Sequence, residues 1–281
     1  MMKQEPKTGT ACRRAKKLAA VSMVALCGFL AACATPSGST SDANIPDMQG
    51  AQTFAPKTPE DYVAQLTYWG SVYDRLPENF EAAVNYGRSL RYVGRAKESV
   101  KVLSSAVVAH PKDPTVLAEY GKSLTAAGRA IEGLNFLTQA NQRRSGDWAN
   151  LSAEGVTLDH LGRHDQAVSR YEAALKASPD NPSVLNNWAL SRALAGDIEQ
   201  AERLLRQAVL VPDAGVQVRQ NLALILGLQG NFAEASLYAE VDLPPEIVAG
   251  NMDYIRSMFT QSPQSSAPPS PWSELEALDS N

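Results

Sequence analysis

A chain of 281 residues, 44% hydrophobic and 20% charged, has the composition of an ordinary folded protein and can bury a core in one or two domains. Six of its 26 basic residues but only one of its 30 acidic residues precede Cys33, so the part that follows carries 20 basic against 29 acidic residues, a net −9. That acidity leaves no footprint for a phosphate backbone and excludes nucleic acid as a partner. Cys12 and Cys27 also precede Cys33, which leaves no intrachain disulfide or cysteine metal cage in the remainder.

In chain order, residues 1–32 come first. Arg13, Arg14, Lys16 and Lys17 form a cationic start, and the apolar run Leu18–Ala32 after them is too short to span a bilayer comfortably. The run ends in Leu30-Ala31-Ala32-Cys33, which resembles the lipobox of bacterial lipoprotein signal peptides. The resemblance implies diacylglycerol on the Cys33 thiol and cleavage before it; an ordinary signal peptide or anchor helix with an incidental cysteine is the competing reading. Acyl chains, at about 0.8 kcal/mol per buried methylene, would hold the protein on a membrane. By analogy with lipoprotein sorting, Ala34 after the cysteine favours the outer membrane and a body in the periplasm. Residues 33–58 are rich in Ser, Thr, Pro, Gly and Asp and read as a tether with a reach of roughly 25–30 Å.

Residues 59–76 are expected to form an N-terminal capping helix. From 77 to 241 the sequence keeps a period: Gly94, Gly128, Gly162, Gly196 and Gly230 follow one another at a spacing of 34. Ala106, Ala140, Ala174 and Ala208 keep it, as do Leu103, Leu137, Tyr171 and Leu205, and the small residues Gly87, Gly121, Gly155, Ala189 and Ala223. This helix-turn-helix period resembles the tetratricopeptide repeat (TPR). Small residues let paired helices approach closely, and the turn glycine ends each first helix at positive φ. Glu154, Arg192 and Arg219 stand where the pattern prefers apolar residues; Glu154 and Arg192 are expected to be partly exposed. Residues 242–260 are expected to cap the far end. Residues 261–281 read as a Pro/Ser-rich disordered tail with one island, Trp272–Leu278, either a short docking helix or frayed chain. The predicted fold is all-α, a right-handed superhelical TPR solenoid of about five repeats between capping helices.

No constellation for catalysis, metal or cofactor emerges. Gly121-Lys122-Ser123 imitates the end of a P-loop, but Val116 stands where its first glycine is required. His160 and His164 flank the turn at Gly162, so they do not share a helix face. The reading is therefore a non-enzyme with a protein-binding groove. Groove positions on the first helices carry Arg88, Arg91, Tyr92 and Lys122 near the start and Asp159 in the middle. Asn186, Leu190, Gln220 and Leu224 stand toward the end. Such a groove is basic and aromatic at one end and apolar with amides at the other, and complements a peptide of opposite character.

A lipobox, a polar tether, about five repeats and the ending Asp242-Leu243-Pro244-Pro245 through Arg256 together resemble the TadD-type lipoproteins of Tad (Flp) pilus assembly. The resemblance implies a pilotin-like role, in which the lipoprotein binds the pilus secretin without turnover. A general envelope scaffold, serving outer-membrane-protein assembly or peptidoglycan machinery, is the competing reading of the same repeats.

Overall fold

The computed structural model describes residues 59–260, Asp213 excepted; the expected signal peptide, Cys33, the expected tether and tail, and the Trp272 island lie outside the described residues. Twelve helices and no strand occur among the described residues: α1 (Pro59–Arg75), α2 (Phe80–Tyr92), α3 (Ala96–Ala109), α4 (Pro114–Ala126), α5 (Ala130–Arg143), α6 (Trp148–His160), α7 (His164–Ala177), α8 (Pro182–Leu194), α9 (Ile198–Val209), α10 (Val216–Leu228), α11 (Phe232–Ala239) and α12 (Pro245–Thr260).

Each repeat starts the same way. Asn79, Asp113, Asp147 and Asn181 sit immediately before α2, α4, α6 and α8, and each side chain accepts from backbone N–H groups of the first turn, as Asp113 does from Thr115 and Val116 at 2.8 and 3.0 Å. These caps are themselves 34 residues apart and satisfy donors the helix cannot satisfy internally. Pro114 and Pro182 follow two of them at the first helical position, where no N–H is needed.

The first helices end alike as well. Gly94, Gly128, Gly162, Gly196 and Gly230 all take φ between +69° and +87°. The residue after each donates back across the turn, Arg95 to the Leu90 carbonyl and Arg129 to the Leu124 carbonyl, both at 2.8 Å. This left-handed exit reverses the chain so that the second helix runs back along the first.

Close approach fixes the pairing. A Cβ on Gly87 would stand 2.6 Å from Leu103 Cγ, on Gly121 2.8 Å from Leu137 Cγ and on Gly155 2.6 Å from Tyr171 Cε1. A mid-helix glycine costs about 1 kcal/mol relative to alanine, and here it admits the large side chain of the partner helix. Leu103, Leu137, Tyr171 and Leu205 are fully buried in that position, with Ala106, Ala140, Ala174 and Ala208 one turn on.

The described helices form two compact units that divide between Val218 and Arg219. In the first, α2, α4, α6 and α8 approach one another closely in succession, whereas among the described residues the backbones of α3 and α5, of α5 and α7, and of α7 and α9 stand farther apart. The row therefore curves with the first helices inside, as in an α-solenoid. Glu154 departs from expectation. It is fully buried rather than partly exposed, because Arg170 Nε reaches in from α7 to its carboxylate at 3.1 Å. Arg192 is paired with Asp197 at 2.8 Å. In the second unit, Arg219 pairs with Asp242 at 2.7 Å, and Ile255 of α12 packs 3.0 Å from the Cβ position of Gly227.

Candidate protein-binding face

The inner row brings Arg88, Arg91 and Lys122 together, and it does so around a residue the sequence did not single out. Glu119, one turn before Lys122 on α4, is buried, with its side chain only 5% exposed. One carboxylate oxygen accepts from Arg88 at 3.3 Å and Lys122 at 3.0 Å, and the other accepts from Arg91 at 3.0 Å. Burial alone would push this carboxyl up. The charges of Lys122, Arg91 and Arg88 outweigh burial and hold it well below the ordinary carboxylate range. Arg91 is half-buried; its guanidinium is held charged against desolvation by Glu119 and lies 4.8 Å over the half-exposed ring of Tyr92. Tyr62 of α1 packs on the same ring, 5.2 Å away.

Three cations on one carboxylate leave formal positive charge in excess, with Glu81 the other carboxylate at a groove position of α2. Arg88 is the most open of the three at 36% exposure, against 19% for Lys122 and 17% for Arg91. The basic end of the face is thus a cluster tied through Glu119, with Arg88 its most open member. Such a cluster can accept further carboxylates with little loss of side-chain freedom.

Asp159 is not on the open face as expected. It is buried between repeats, accepting from Ser191 Oγ at 2.8 Å and Tyr171 Oη at 2.7 Å and bonded to His164 Nδ1 at 2.8 Å. The physical reason lies in Tyr171, the one tyrosine in a column of leucines. Its buried hydroxyl needs an acceptor, and Asp159 lies across the helix pair. Burial, the Asp159 charge and that hydrogen bond push the Tyr171 phenol up, so it stays a donor. Beyond this node, Asn186 is buried and Leu190 half-buried, and Asn187 donates to Ser152 at 3.1 Å. In the second unit, Gln220 donates to the Ala239 carbonyl at 3.2 Å and Leu224 is half-buried. Lys122 of the P-loop-like triplet lies in mid-helix, bonded to Glu119.

A tetratricopeptide-repeat family model matches residues 153–214. Among solved structures, the chain is similar to TTC0263, a thermophilic TPR protein of Thermus thermophilus, with a TM-score of 0.56 and 20% identity over 63% of this chain and 99% of that one. A TPR protein of Parabacteroides merdae matches at a TM-score of 0.51 and 17% identity, over 70% of this chain and 81% of that one. A chain of the APC/C hetero-tetramer Cut9–Hcn1 matches at 0.56 and 14%, over 72% of this chain and 41% of that one. No curated protein matches the sequence. The likenesses show the fold, an all-α solenoid of tetratricopeptide repeats.

Proposed function

We propose that this protein is a lipid-anchored, non-catalytic binding scaffold of the bacterial envelope. It is held on the outer membrane through Cys33 and acts as a pilotin for the secretin in Tad/Flp pilus assembly. The observation that carries the binding part is the Glu119 cluster on the inner row of helices, a pre-arranged cationic site on an otherwise acidic body. It fits an acidic segment of the partner, with Tyr92 beside it for an apolar anchor. The pathway rests on the resemblance of the leader, tether and ending to TadD-type lipoproteins. Within that ending, Asp242 holds Arg219 and Pro245 opens α12.

The test is co-purification of the full chain with envelope proteins, followed by titration of the recovered secretin at low and physiological salt. Arg88→Gln is expected to weaken binding at low salt and to flatten its salt dependence. Recovery of another envelope machine in stoichiometric amount, without secretin, overturns the pilus reading in favour of a general envelope scaffold.

A further inference from the structure

We propose that the cavity between α5, α6 and α7 is a binding site for an α-amino acid zwitterion, with the ammonium on Glu154 and the carboxylate on Arg170. The cavity has a volume of about 320 Å³ and is lined by the end of α5, the α5–α6 turn and side chains of α6 and α7. Asn141, Glu154 and Arg170, one from each of the three helices, stand in its wall.

The repeat shows that these three belong together. One period of 34 residues earlier the same positions are Val107, Tyr120 and Phe136, and one period later they are Leu175, Trp188 and Leu204. Both flanking sets are apolar and packed. Val107 and Tyr120 lie against one core cluster, with Phe136 edge-on to Tyr120 at 4.8 Å; Leu175 and Trp188 lie against another, and Leu204 is buried. At the interface between them all three positions turn polar at once, and a cavity stands where a close-packed interior would be filled. Holding the repeats together does not call for this exchange. Packed apolar side chains in place of a buried ion pair are often neutral or stabilising.

The polar groups are also incompletely used. Glu154 is 2% exposed, yet it meets a single cation, Arg170 through Nε at 3.1 Å, whereas Glu119 meets three. That contact leaves both Nη groups of Arg170 without a protein partner among the described residues. Asn141 is further out of balance: its amide nitrogen and oxygen are both enclosed, and neither has a hydrogen-bond partner. Buried polar groups are nearly always paired. The terminal torsion of an asparagine is soft, so this amide can turn to donate to, or accept from, a molecule that enters.

Charge then selects the occupant. One carboxylate and one guanidinium sum to zero, so a lone cation or a lone anion would leave one of them in excess. A molecule with an ammonium and a carboxylate on the same carbon answers both, lying alongside a pair whose facing atoms are 3.1 Å apart. Its ammonium donates to Glu154, and its carboxylate accepts from the two Nη groups of Arg170 as a fork. Leu151 offers its side chain an apolar wall, and the volume lies at the lower end of the range of small-molecule sites.

This site is separate from the Glu119 cluster and stands whether or not that cluster binds a partner. Glycine, L-alanine, L-leucine and L-glutamine, titrated calorimetrically into the full chain in detergent, test it. At least one is expected to bind with a Kd of about 1 mM or tighter, and its N-acetylated and C-amidated forms, each lacking one charge, about tenfold or more weakly. Asn141→Val with Glu154→Tyr and Arg170→Phe installs the set of the neighbouring interface; it is expected to keep or raise the melting midpoint and to lose binding. Glu154→Gln keeps the shape and removes the ammonium's partner, so it is expected to weaken binding about tenfold with unchanged helical circular dichroism. Absence of binding by all four amino acids overturns the proposal. So does equal affinity for a blocked form, which would assign the cavity to a lone charged group, or binding that survives both variants, which would place the ligand elsewhere.

Discussion

Glu119→Gln is the sharpest single perturbation of the inner face, since it removes one charge and leaves three cations facing each other. Removing one partner of a buried ion pair costs about 3–5 kcal/mol. Arg88 is open enough for water to screen its share, so the weight falls on Arg91 and Lys122 and the expected loss is about 3 kcal/mol at neutral pH. At about 2–4 °C per kcal/mol for a body of this size, the thermal midpoint should drop by about 6–12 °C. The same change carries a pH signature. The folded-state carboxyl is held below its unfolded value, so its contribution is complete above about pH 4.3 and is lost as pH falls toward the folded value. At about 1.4 kcal/mol per pH unit, the gap between wild type and variant should narrow by about 2 kcal/mol between pH 5 and pH 3. Melting curves of both proteins at pH 7, 5 and 3 measure it, with Glu132→Gln as a control whose exposed pair with Arg129 should leave the midpoint unmoved. Midpoints within about 2 °C of each other at pH 7, or a gap equal at pH 5 and pH 3, would refute the cluster as the source of the stability.

Gly121→Leu drives a side chain into the 2.9 Å approach of the Gly133 carbonyl and the 2.8 Å approach of Leu137, and should cost more than the 1–3 kcal/mol typical of about one added methylene, read as a lowered melting midpoint. An unchanged midpoint refutes the helix-pair geometry. Cys33→Ser, under the proposed anchoring, should remove label from a metabolically supplied fatty acid and release the protein from the membrane fraction; equal labelling of the variant sinks that proposal.

The parts of the fold legible in the sequence are those that a single residue carries by itself. A turn needs positive φ, so Gly94 and its four successors show it; a close approach needs a missing side chain, so Gly87, Gly121 and Gly155 show that. The caps at Asn79, Asp113, Asp147 and Asn181 were equally legible, since they keep the same period, yet a search for small and apolar columns passes over polar ones. The polar nodes were not legible in the same way. Glu119 lies 31 and 28 residues from Arg88 and Arg91, and only the stacking of one first helix on the next brings them to 3.3 and 3.0 Å. Asp159 reads as a groove residue by position, and nothing short of the Tyr171 hydroxyl reaching it reveals that it faces inward. Glu154 is the same case, a carboxylate whose burial depends on Arg170 in the next helix.

These nodes also decide which substitutions can report on binding. Arg91 bonds Glu119, lies over Tyr92 and is largely enclosed, so reversing its charge would disturb the stacking of α2 on α4 before any partner arrives. A loss of binding in that variant would measure the fold. Arg88 is the most open of the three and makes the longest contact to Glu119, so its side chain can turn toward a ligand while Arg91 and Lys122 keep the carboxylate paired. Arg88→Gln is therefore the informative substitution. Its expected signature is weaker, less salt-dependent binding with a melting midpoint closer to wild type than that of Glu119→Gln. Binding that falls only in step with the midpoint would place the cluster among the structural contacts and move the partner's site off the basic end of the face.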